Sequence, residues 1–140
     1  MEKKGPDHYR YYAALSEEGV HVKCERFIVI GETERCYYVI SENSEHLVGK
    51  EADWAQSLVK KRRRRVLKNS HRRYCYPDKM EALQSFAARQ RWRISHAQRS
   101  TSMAQLSLKV VKRQIELGMT DAPMYCGHDD YTASLNWGDC

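Results

Sequence analysis

Cys126, His128, Asp129 and Asp130 fall within five residues, and sulfur, nitrogen and oxygen donors so close together can hold a divalent ion. Two carboxylates on a metal beside a basic surface would suit a nuclease. A short Asp-rich turn has the same letters, however, and no further ligands stand at metal-binding spacing. The metal-dependent nuclease is therefore a distant alternative. The sequence has no Gly-rich phosphate loop, no Cys-x-x-Cys pair and no His-Glu-x-x-His. No Ser or Cys has a neighbouring base and orienting group of the kind nucleophilic catalysis needs. The expectation is a protein that is not an enzyme, with no cofactor, no metal and no small-molecule substrate.

The other chemistry on offer is anion binding. Residues 60–113 hold 17 Lys and Arg against two acids, Asp78 and Glu81, a local balance of +15. Residues 1–59 carry −4 and residues 114–140 carry −5, so the net +6 of the 140-residue chain hides a strong charge asymmetry. The densest part runs from Lys60 to Arg73: Lys60, Lys61, Arg62, Arg63, Arg64, Arg65, Lys68, Arg72 and Arg73, with no acid among them. Ordinary solvated helices mix signs, and a solvated face with alkyl stems over apolar surface is the plainer explanation here. The absence of acids favours a polyanion partner. Arginine outnumbers lysine, and its planar fork suits bidentate phosphate contacts. Tyr74, Tyr76 and Trp92 are interleaved with these bases and with Arg89, Arg91 and Arg93, where exposed rings could stack on nucleobases. His71 fits as a supplementary donor. No RNP-type aromatic pair, zinc-finger spacing or helix-turn-helix accompanies them.

Several elements must position these groups. The segments Tyr9 to Leu15, Val20 to Ile30 and Arg35 to Ile40 are rich in aromatic and β-branched residues. The second begins with strict alternation: Val20, Val22 and Cys24 face one way, and His21, Lys23 and Glu25 the other. Ser16 to Gly19 and Gly31 to Glu34 have hairpin length. Residues 42–50 read as a polar loop. For 53–76 two readings compete. One is a helix from Asp53, with Asp53 to Gln56 resembling a capping box. The other is a hairpin of Arg62 to Lys68 and Arg72 to Tyr76 across Asn69-Ser70. Strand is favoured for 62–76, with a short helix or turn at 53–59. Asp78 is a good N-cap and Glu81 completes a capping box. Apolar spacing then continues to Gly118, a C′ residue. An unbroken helix of this length would span about 60 Å at the standard rise. A break at Arg99-Ser-Thr-Ser102 into two antiparallel helices is therefore preferred, with one long helix used for homodimerisation as the rival.

The fold class expected is α+β, an N-terminal antiparallel β-meander of three to five strands packed by a C-terminal helix or helical hairpin. The expected core includes Val22, Phe27, Val29, Tyr38, Ile40, Leu83, Phe86 and Ile94. One domain is expected over 1–118, with sheet in 8–76 and helices in 78–118. An acidic, aromatic-containing tail covers 119–140, either as a surface tail or lying over the basic face and competing with its ligand. Neither a transmembrane helix nor a signal peptide is expected, and five scattered cysteines suit reduced thiols, with Cys24, Cys36 and Cys75 expected to pack in strands.

The stretch Arg65-Val-Leu-Lys-Asn-Ser-His-Arg-Arg-Tyr-Cys-Tyr-Pro-Asp-Lys-Met-Glu-Ala-Leu-Gln-Ser-Phe86, continued by Ala-Ala-Arg-Gln-Arg-Trp-Arg-Ile-Ser-His96, resembles small proteins encoded in bacteriophages and prophages of enteric bacteria. It covers about a quarter of the chain and holds no catalytic signature. The resemblance implies a bacterial host cytoplasm and an action by binding, to DNA or to a host complex such as a CRISPR effector, nuclease or polymerase. Two functions follow as expectations: a binding module for nucleic acid or a nucleoprotein complex, and an inhibitor of a host defence machine, such as an anti-CRISPR protein, acting by protein contact.

Overall fold

Strand-forming residues dominate the first forty positions, and the chain folds there as expected. In the computed structural model, which describes residues 5–120, β1 (His8–Ser16), β2 (Gly19–Glu32) and β3 (Cys36–Ser41) form an antiparallel meander. Glu17-Glu18 makes the first turn, and Gly19 closes it at φ 121°, a conformation that disfavours a side chain. A register shift between Val29 and Gly31 lets β2 run on to Glu32, past the Gly31 where the sequence suggested a turn. The fourth strand, β4 (Arg64–Leu67), pairs with β3, with Arg64 opposite Val39 and Val66 opposite Tyr37. The following segment returns to the far edge of the sheet, where Tyr76 and Tyr9 exchange backbone hydrogen bonds. The sheet is thereby curled. The expected hairpin across Asn69-Ser70 is absent because β4 pairs with β3 and Tyr76 with β1.

Alternation distributes the apolar residues between two layers. On the concave face Phe27, Val29, Val39 and Val66 pack with Cys75, and Tyr37 and Tyr74 lean on this cluster. Burial pushes the Cys75 thiol up to about 12, so it stays protonated. On the other face Ile28 and Ile40 are buried, and the 3-10 helix Glu42–Leu47 packs on β2 and β3 through buried Leu47. Residues 42–47 thus form a covering layer instead of the expected polar loop. The first α-helix, α1 (Asp53–Arg62), adds Ala55 to that layer. Its cap is Ala52, whose carbonyl receives the Ala55 and Gln56 N–H groups, so the proposed capping box at Asp53 does not form.

The chain divides into two compact units, one ending at Ala88 and one beginning at Arg89. The second α-helix, α2 (Lys79–Leu117), begins in the first unit and is unbroken. Asp78 caps it, accepting the Met80 N–H at 3.0 Å. Gly118 (φ 65°) ends it in a Schellman arrangement, with Met119 N–H bonding the Gln114 carbonyl. The expected break at residues 99–102 does not occur. No Gly or Pro lies between Lys79 and Leu117, and a few Ser and Thr cost only tenths of a kcal/mol each, about 0.5 or less. The preferred helical hairpin gives way to the single helix.

Three of the expected core residues are exposed, and Tyr38 and Phe86 are only half-buried. Leu83 is 41% exposed and Ile94 57%, because the concave layer is filled by Tyr74 and Cys75, and α2 contributes only Ala82 to the buried set. Val22 is 52% exposed because the outer half of the β1–β2 hairpin extends past both covering layers. Leu15 and Val20 are exposed there as well, and Cys24 is an exposed thiol instead of a packed one. Cys36 is buried in β3 as expected, and Cys75 is buried too, but outside any strand.

His8 has no counterpart in the sequence reading. It is 1% exposed, its Nδ1 donates to the Pro6 carbonyl at 2.8 Å, and its ring stands edge-on to Tyr37. Burial lowers its pKa below 6.5, the Pro6 bond opposes this, and Arg73 adds to it. The unfolded chain therefore takes up a proton near pH 6.5 that the folded protein refuses until lower pH. Stability should fall as pH drops below about 6.5 towards the folded value. Urea midpoints at pH 7 and pH 5 should differ more for the natural chain than for His8→Asn, whose amide keeps a donor near Nδ1. Equal differences would remove His8 from this account.

Candidate nucleic-acid interface

The basic tract lies where α1 becomes β4. Lys60, Lys61 and Arg62 form the last turn of α1, where cations oppose the partial negative charge of the unpaired carbonyls. Arg63 is the C-cap at φ −65° and ψ 148°, so the chain passes from helix to strand with no intervening loop. Arg64 and Arg65 open β4 and face opposite sides of the sheet. Residues 60–65 are all exposed, and among the described residues none of them forms a salt bridge. Three acids elsewhere are already engaged: Arg26 pairs with Asp7 and Glu42, and Lys68 with Glu32.

Aromatic rings and a hydroxyl, instead of carboxylates, hold the heads of Arg62, Arg63 and Arg64. The Arg63 guanidinium lies 4.6 Å from the Tyr38 ring centre, and Arg64 lies 4.0 Å from that of Tyr74. Arg10 also stacks on Tyr74 at 4.0 Å and donates to its carbonyl. Arg62 donates to the buried Ser44 hydroxyl at 3.2 Å. Such contacts orient a guanidinium and leave its charge uncompensated.

Residues 61–64 line a cavity of about 480 Å³. Tyr74 and Phe27 supply its apolar wall, and Ser41, Ser44 and Glu25 its remaining polar groups. Phe27 and Tyr74 meet edge to face at 5.5 Å, which fixes the ring that carries Arg64. Ser41 Oγ donates to Glu25 Oε1 at 2.5 Å.

No family model, curated protein or solved structure matches the chain.

The remaining residues singled out from the sequence have varied surroundings. Arg72 is exposed, whereas Arg73 is half-buried and its Nε donates to the Ser70 carbonyl at 2.8 Å. Tyr76 is half-buried; its hydroxyl donates to the His71 carbonyl and accepts the Arg73 N–H, so it braces this loop. Lys68 is tied to Glu32 and lies over Tyr37. In the second unit Arg91, Trp92 and Arg93 are exposed, Arg89 is half-buried, and Trp92 stacks on His96 at 5.1 Å. The Cys126–Asp130 group and the acidic tail from Asp121 lie outside the described residues.

Sequence reasoning overlooked Glu25, Ser41, Ser44 and Arg10. Glu25 is one member of an alternating polar face, and nothing local distinguishes it from Lys23 or His21. Only the pairing of β2 with β3 brings Ser41 to it.

Proposed function

We propose that the protein is a non-enzymatic binding protein that grips nucleic acid, alone or within a nucleoprotein complex, through the basic tract at the α1–β4 junction. One observation carries this reading. Six consecutive bases, Lys60 to Arg65, are exposed without a salt bridge among the described residues, and four of them converge on one cavity. A solvated surface of mixed sign would neutralise them locally; a polyanion supplies what they lack. The resemblance of residues 65–96 to bacteriophage and prophage proteins supports a bacterial host cytoplasm as the setting. Among the described residues no helix is long and apolar enough to cross a membrane.

A second reading draws on the exposed apolar residues Leu15, Val20 and Val22 of the β1–β2 hairpin, which phosphate binding does not need. It is an inhibitor of a host defence machine, such as an anti-CRISPR protein, acting by protein–protein contact. Charge reversal separates the two. Arg63→Glu with Arg65→Glu should weaken binding to oligonucleotides of every sequence by tenfold or more at low salt, because phosphate contacts position without specifying. Unchanged affinity in a fluorescence anisotropy titration would reject the nucleic-acid reading and favour the protein target.

A further inference from the structure

Glu25 is out of place in a surface built to attract phosphates. Among the described residues it is the one carboxylate lining the cavity, beside the four cations at 61–64. Among the described residues it forms no salt bridge with any of them. Its Oε1 accepts from the Ser41 hydroxyl at 2.5 Å, which anchors one oxygen of the carboxylate. Its charge weakens the attraction for phosphate. What it supplies in return is a pair of acceptor oxygens.

A ligand that satisfies this cavity must offer anionic groups to the cations and N–H groups to Glu25. A cationic ligand is excluded by residues 61–64. Nucleotides meet both demands, and the bases differ in how well they meet the second. Guanine carries two neighbouring donors, N1–H and N2–H, at the spacing of a carboxylate's two oxygens. Adenine and cytosine place a ring acceptor beside their amino group, which a carboxylate repels, and uracil flanks its single N–H with carbonyls. The guanine donors lie on the edge used for base pairing, so they are free only in an unpaired strand. Arg64, stacked on Tyr74 at 4.0 Å, offers a planar group for base stacking. About 480 Å³ is within the usual size of small-ligand sites, roughly 300–1,000 Å³.

We propose that this cavity receives one unpaired guanine of a single-stranded nucleic acid, with Glu25 as the specificity-determining residue and residues 61–64 on the adjoining phosphates. The proposal rests on the nucleic-acid reading above and adds base selection to it. The test uses the full chain with labelled oligouridine nonamers carrying G, A or C at the centre, or U throughout, in ribose and deoxyribose forms. The G-containing strand should bind about tenfold tighter than the other three, within the range of a good bidentate base contact. Glu25→Gln keeps the side-chain shape but replaces one acceptor with a donor, and it should abolish the preference while leaving the other strands bound. An unchanged thermal melt would confirm that the variant folds. Equal binding of all four strands by the natural chain, or a uniform gain for all four in Glu25→Gln, would overturn guanine selection and leave the cationic surface intact. Free guanosine monophosphate competing as well as the strand, concentration for concentration, would overturn the strand assignment. No binding to any strand at low salt would reject the underlying reading itself.

Discussion

Between 50 and 200 mM salt, affinity for a generic oligonucleotide duplex should fall about 500-fold. The estimate follows from counterion release: each neutralised phosphate contributes a slope of about −0.9 in log K against log salt, so five contacts give about −4.5. Five is a reasonable number for Lys60, Lys61, Arg62, Arg63, Arg64 and Arg65, since Arg64 and Arg65 face opposite sides of β4 and one ligand is not expected to reach all six. Lys68 is left out of the count because Glu32 already holds it. Arg63→Glu with Arg65→Glu should flatten the slope as well as lower the affinity. A single strand has a lower charge density and a shallower dependence, about −0.7 per phosphate. A slope near zero, measured over that salt range, would mean that phosphates are not what the tract binds.

Ile40→Ala should cost about 2–5 kcal/mol, a large part of the stability of a chain this size. Ile40 is completely buried beside Ile28, in the layer closed by the 3-10 helix and α1, and truncation leaves a cavity that a sheet held on both faces cannot easily collapse. Val22→Ala is the informative comparison. Val22 sits in the same strand class and the same alternating pattern, yet it is exposed, so its loss should change stability by less than about 0.5 kcal/mol. Urea denaturation of both variants tests this directly. Similar losses would mean that the outer half of the β1–β2 hairpin is packed in solution.

That contrast also marks what could be read from the sequence. Period-two alternation and short turns gave β1, β2 and β3 nearly to the residue, and Asp78 and Gly118 marked the ends of α2, because those signals are local. Alternation says which residues share a face; it does not say whether another layer covers that face. Val22 and Phe27 are both expected in the core, although they face opposite sides of β2 and only Phe27 has Cys75 and Tyr74 against it. The basic tract departs from the expected hairpin for a related reason. A hairpin across Asn69-Ser70 is the nearest pairing along the chain, but β3 offers a longer-range edge that Arg64 to Leu67 takes instead. The cations of the candidate site were legible from composition. Their organisation was not, because Tyr38, Tyr74, Ser44 and Glu25 come from distant segments that only tertiary pairing brings together.

The way those cations are held has a thermodynamic consequence. Rings and hydroxyls fix the guanidinium heads at the α1–β4 junction, but they do not discharge them. The folded chain therefore carries concentrated self-repulsion that the expanded chain would relax. Added salt should screen that repulsion and steady the protein, while the same salt should loosen the proposed hold on a polyanion. Melting temperature and affinity then respond to ionic strength in opposite directions. If a polyanion is the ligand, as proposed, its binding would relieve that repulsion and add its own binding energy to the native state, linking occupancy to folding.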